Sequence, residues 1–170
     1  MNDKAIRDIL IAYLQATNHE IRIYQEKSIG SSICDLMLVT DKLTGYEIKS
    51  DHDNYSRLGE QVKAYDRFFD ENYLVISQSH SRSAEGKVPT HWGILCIHND
   101  SITVIRKAQK NRSVSRRNQL AILWKLELKN LLIKNNMPLY AQKDKGYISD
   151  MIAAAVECNL LGKQIAQELM

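Results

Sequence analysis

Asp35 interrupts the apolar run Ile33-Cys-Asp-Leu-Met-Leu-Val39, and Glu47 and Lys49 follow in the short run Tyr46-Glu-Ile-Lys49. Aspartate neither packs nor desolvates well in a strand, so Asp35 needs a partner there. Side chains alternate along a strand with period two, which sets Glu47 and Lys49 on one face and Ile48 on the other. Two carboxylates and an amine converging in this way suit Mg²⁺, a hard cation that takes oxygen ligands and keeps several waters. The ion would lower the pKa of a bound water and neutralise charge on a phosphoryl oxygen, while the lysine orients that water or stabilises the transition state. The plainer alternative is an ion pair between Asp35 and Lys49 across neighbouring strands. An acidic residue two places before a lysine also occurs at Glu85-Gly-Lys87, in a loop-like stretch, and at Glu127-Leu-Lys129, in a helical one where such residues point to different sides.

The elements that must position these residues follow from hydrophobic spacing. Ile6, Ile9, Leu10, Tyr13 and Leu14 recur at helical intervals behind Asn2 or Asp3 as N-cap, predicting a helix over about 3–16. Ile21–Tyr24, Ile33–Val39 and Tyr46–Lys49 read as three strands on short links, which favours an antiparallel meander. A second helix is predicted over about 54–69, capped by Asp53, with Tyr55, Leu58, Val62, Tyr65 and Phe69 along one stripe. The strand Tyr73–Ile76 then lies parallel to the third, as a right-handed crossover requires. Trp92–Ile97 and Ile102–Ile105 form a hairpin around His98-Asn-Asp100, and Trp92-Gly93 is read as strand packing. From Asn118 the pattern is helical, and no Pro- or Gly-rich linker marks a firm boundary. The fold class is α/β: an αβββαβ core with a mixed central sheet over residues 1–117, then a helical C-terminal extension over 118–170 packed on that core.

Asp35, then Glu47-Ile-Lys49, then Gln61-Val-Lys-Ala-Tyr65 on the following helix, all on an αβββαβ order, resemble the PD-(D/E)XK nuclease superfamily with its restriction-endonuclease-like fold. The longer string of Asp51, Asp53, Arg57-Leu58, Pro89 and Trp92-Gly93 resembles a small bacterial and phage branch of it. The resemblance covers about residues 1–105. It implies a Mg²⁺-dependent deoxyribonuclease, with Mn²⁺ as a substitute, hydrolysing phosphodiester bonds in DNA in preference to RNA. By that implication Asp35 and Glu47 are metal ligands, Lys49 the catalytic lysine, Gln61 and Tyr65 the accessory pair, and Glu26, ahead of Glu20, the extra acidic ligand. Cys34 stands where many members carry proline. The rival reading is a nucleic-acid-binding or partner-binding protein that keeps the fold and cuts little. Asp51 and Asp53 read as a turn and a helix cap, and Arg57 binds a phosphate or pairs with Asp53. Many nucleases of this fold are dimers, so a homodimer is left open.

Charge points the same way. The chain of 170 residues carries a net +3, but the first hundred residues hold 11 Lys and Arg against 15 Asp and Glu, and the rest hold 12 against 5. Arg106, Lys107, Lys110, Arg112, Arg116 and Arg117 fall within twelve residues that contain no acid, read as a loop for the phosphate backbone, with a solvated surface loop as the alternative. A hydrophobic share of 44% with 25% charged residues excludes a disordered or collagen-like chain. Cys34, Cys96 and Cys158 and the five histidines show no metal spacing, no disulfide framework is suggested, and no stretch nears the roughly 18 apolar residues of a membrane span. A cytoplasmic protein with no membrane contact is expected.

Overall fold

The structure is a computed structural model describing every residue except Arg82. Six strands form one mixed sheet in the order β1-β2-β3-β4-β5-β6, so each strand lies beside its neighbour in sequence. Strands β1 (Arg22–Ile29), β2 (Ser32–Val39) and β3 (Leu43–Lys49) form the antiparallel meander. Helix α2 (Leu58–Phe68) then carries the chain over to β4 (Glu71–Ser77), which runs parallel to β3. Strand β5 (Gly93–His98) is parallel to β4 and turns back into β6 (Ser101–Arg106). The turn residues Asn99 and Asp100 have φ of 45° and 60°, the left-handed pair that a two-residue hairpin demands.

The two faces of the sheet are covered unequally. On one, α1 (Asp3–Thr17) sets Ile6, Leu10 and Leu14 against Leu36, Leu38, Tyr46, Ile48, Val75, Leu95 and Ile97. On the other, α2 and four C-terminal helices share one apolar cluster with Met37, Val39, Leu43, Leu74, Ile76 and Ile94. Those helices are α3 (Arg116–Ile122), α4 (Lys125–Lys134), α5 (Lys145–Ala155) and α6 (Cys158–Leu169). The alternation sends Ile48 to the α1 face, while Glu47 and Lys49 meet α2. Strand β3 is buried along its whole length, as a central strand covered on both sides must be.

Three local expectations need correction. Helix α2 starts at Leu58, not at Asn54, and Asp53 does not cap it, because the Asp53 carboxylate is occupied by the Ser50 N–H at 2.8 Å and the Ser50 hydroxyl at 2.6 Å. The basic stretch is not all loop: Arg106 ends β6, and Arg116 and Arg117 open α3 behind Ser115, whose hydroxyl accepts from the Asn118 N–H. The first C-terminal segment breaks at Leu123 and Trp124, whose ψ of 150° and 164° are extended.

Close packing fixes Gly93 where β4 and β5 meet. A Cβ there would lie 2.1 Å from Tyr73 Cε1 and 2.7 Å from the Ala108 backbone nitrogen. The Tyr73 ring is itself stacked on Tyr46 at 5.2 Å, so neither neighbour yields. Gly93→Ala is expected to cost about 2–3 kcal/mol in urea unfolding, as overpacking of a rigid site does.

Candidate functional site

Lys49 is the hinge of the site. Its ammonium donates to Glu47 Oε1 at 2.7 Å and to Gln61 Oε1 at 3.0 Å, joining two residues of β3 to the first turn of α2. Glu47 is 1% exposed and its second oxygen, Oε2, is buried without a hydrogen bond. Asp35 Oδ2 accepts from the Ile48 N–H at 2.7 Å, so its carboxylate reaches across to β3 from the adjacent strand. The plain ion pair of Asp35 with Lys49 is therefore not the arrangement adopted: Lys49 sits on Glu47, and Asp35 on the backbone. Burial above all, then the Glu47 charge, pushes the Asp35 carboxyl up to about 7, against the pull of the Ile48 N–H and Lys49.

Tyr65 is completely buried and works as a clamp between strands. Its hydroxyl accepts from the Asp35 N–H at 3.1 Å and donates to the Tyr46 carbonyl at 3.2 Å, while its ring lies against Trp92 and Phe69. Burial raises that phenol well above its ordinary value, helped by the thiol and carboxylates around it. The Cys34 thiol, donating to the Leu36 carbonyl, is pushed up to about 12 by burial and is inert at neutral pH.

Asp35 and Gln61 open on a cleft of about 630 Å³ between the β1–β2 hairpin and the start of α2, lined also by Glu26, Ile33, Arg57 and Glu60. The ladder pairs Gln25 with Leu36 and Lys27 with Cys34, leaving Glu26 opposite Asp35 unpaired, with a left-handed φ of 51°. Its carboxylate is 70% exposed and bound to Arg7 at 3.0 Å; Arg7 also holds Asp3 at 2.9 Å. Arg7 is a residue that sequence reasoning missed, although Asp3 and Arg7 are one helical turn apart. The carboxylates of Asp35, Glu47 and Glu26 do not form the expected ligand set: among the described residues no group of three or more His, Cys, Asp or Glu could hold a metal ion.

The basic residues are spread, not gathered at the cleft. Arg57 is exposed on its lining. Arg106 donates to the carbonyls of Trp92 at 2.7 Å and Pro89 at 2.9 Å. Arg116 donates to Asp70 and Gln119, both at 2.6 Å, and to the Cys158 carbonyl, and Arg117 pairs with Asp150. Lys107, Lys110 and Arg112 are exposed, with no carboxylate partner among the described residues. They flank Asn111, which is 1% exposed and donates to the carbonyls of Asp66 and Phe69 at the far end of α2 from the cleft.

The sequence model of the bacteriophage P4 protein cII family matches residues 2–169. The chain belongs to that family. The curated Protein cII of Enterobacteria phage P4 is 32% identical to this cII-family chain over 102 residues, which cover 58% of the chain and 39% of the relative. The match thus spans well under half of the relative's length. Among solved structures, a protein of unknown function from Silicibacter pomeroyi superposes with a TM-score of 0.54 at 15% identity, over 69% of this chain and 78% of that one, a likeness of fold alone. Membership of the cII family replaces the assignment to the PD-(D/E)XK superfamily. The expected Mg²⁺-dependent deoxyribonuclease rested on that assignment and falls with it. Among the described residues, no helix of the cII-family chain is long and apolar enough to cross a membrane.

Proposed function

We propose that this cII-family chain is a nucleic-acid-binding protein that cuts its ligand little or not at all. The observation that carries the reading is the segment 107–112. Lys107, Lys110 and Arg112 stand in solvent on a loop pinned by the buried Asn111, so three cations are held out without a neutralising acid among the described residues. A loop ordered in advance loses less entropy on binding, and exposed Lys and Arg contact the phosphate backbone irrespective of base sequence. Arg57, exposed on the cleft, adds a fourth cation with no ion pair among the described residues. The element order supports a restriction-endonuclease-like core over residues 1–117 with 118–170 as a helical extension, and the reading puts the protein in the cytoplasm.

Fluorescence anisotropy with labelled oligonucleotides tests this. Replacing Lys107, Lys110 and Arg112 together by alanine is expected to weaken binding on the order of tenfold or more at low salt. The slope of log affinity against log salt should flatten by about 2–3, in proportion to the phosphate contacts removed. Running DNA beside RNA measures a preference for which the discarded resemblance was the only ground. Gels of the same mixtures with Mg²⁺ or Mn²⁺ should show intact nucleic acid; metal-dependent cutting that disappears in Lys49→Ala would overturn the reading.

A further inference from the structure

Two tryptophans lie in opposite surroundings. Trp92 is fully buried with its indole N–H on Asp66, whereas Trp124 is 73% exposed. An indole so open leaves its aromatic face free to stack on a partner, with its N–H at the wet edge. Its backbone is held firmly: the Trp124 N–H donates to Glu127 Oε2 at 2.6 Å where α4 begins. It borders a groove of about 360 Å³ whose polar wall is Glu26, Lys27, Ser28 and Lys145. Lys145 is steadied by the Ala121 carbonyl at 2.6 Å. Burial, and then the Lys27 charge, draw its ammonium below the ordinary lysine value, against the pull of Glu127. The acids nearby are already engaged, Glu26 by Arg7 and Glu127 by the Trp124 N–H.

Glu26 lines both this groove and the neighbouring cleft, whose wall also carries Asp35 and Glu60. On the groove itself Lys27, Lys145 and the exposed Trp124 lie together. We infer that this is a track for single-stranded nucleic acid, with a base stacked on Trp124 and phosphates on Lys27 and Lys145. A duplex covers the faces of its bases with one another, while a single strand can turn one out onto an aromatic ring. Cations at spaced intervals beside the ring complement its backbone, and that favours a nucleic acid over an apolar protein partner for the same indole. The inference rests on the proposed nucleic-acid binding and names the form of ligand that it takes.

With Trp92 buried as an internal reference, intrinsic fluorescence reads Trp124 directly. The full chain is titrated with oligothymidylate and with a duplex of equal length, and anisotropy is followed in parallel. The single strand is expected to quench the solvent-exposed emission and the duplex to leave it nearly unchanged. Trp124→Ala should lose about tenfold or more in affinity for the single strand, while Trp124→Phe keeps most of it, since a ring remains to stack on. Lys27→Ala with Lys145→Ala should lower the single-strand salt slope by about 1–1.5. Circular dichroism matching the wild type confirms that the variants fold. Single-strand binding unchanged in Trp124→Ala, or a duplex that quenches equally, overturns the track and leaves the indole to a protein partner. If the wild-type chain binds neither form at low salt, the broader reading fails as well.

Discussion

Lys49→Met is expected to destabilise the folded chain by about 3–5 kcal/mol, the usual cost of removing one partner from a buried ion pair. The loss is large because, among the described residues, no other group donates to Glu47. Its carboxylate is 1% exposed, Oε2 has no partner, and Oε1 is held only by the Lys49 ammonium at 2.7 Å. Methionine fills the space of the lysine stem and leaves a bare anion in the interior, with Gln61 Oε1 unpaired beside it. The double variant Glu47→Gln, Lys49→Met removes the anion too and should recover most of the loss. Urea midpoints of the single and double variants at pH 7.5 decide it. A single-variant cost under about 1 kcal/mol would show that water enters and solvates the carboxylate.

Asp35→Asn should act in the opposite direction and stabilise the protein at neutral and alkaline pH. The Asp35 carboxyl titrates at about 7 in the folded chain against an ordinary value of 3.8. Between those values the folded state keeps a proton that the unfolded state has given up. Stability therefore falls as pH rises through that window and is level above it. Asparagine cannot ionise, yet it keeps an oxygen for the Ile48 N–H. Asp35 opens partly on the cleft, so solvent screening limits the gain above pH 7 to about 1–3 kcal/mol. Urea unfolding at pH 5, 6 and 8 should show a wild-type decline that the variant lacks; parallel profiles would mean that Asp35 is ionised throughout.

Local pattern was enough for much of this arrangement. Period two along β3 set Glu47 and Lys49 on one face, and the stripe on α2 carried Tyr65 into the core beneath Asp35; Gln61 was read only through the family resemblance. What local pattern does not contain is the identity of distant partners. Arg106 and Arg116 read as free cations because the Pro89, Trp92 and Cys158 carbonyls and Asp70 come to them only through the tertiary fold. Asp53 has the spacing of a cap, but Ser50 takes its carboxylate first. Arg7 was missed because its main partner, Glu26, lies on another element. The family assignment failed for a related reason: an acid, a glutamate–lysine pair and a glutamine on a helix are few residues, and a fold can gather them without the metal group that would give them a nuclease's chemistry.

The unequal cover of the sheet divides the molecule into parts that can let go separately. Five helices share one continuous apolar cluster, so none of them leaves without disturbing the rest. Helix α1 alone covers the other face, held by one stripe of side chains, by the Arg7–Glu26 pair and, just ahead of the helix, by the Met1 ammonium on Asp51. It is thus the segment able to peel off as a unit in a sub-global opening, while the sheet and the five helices persist. Each such opening withdraws Arg7 from Glu26 and leaves an unneutralised carboxylate at the rim of the cleft, where an approaching anion would meet it. The charge at that rim is thus set in part by a residue of the first helix, although other elements build the surface.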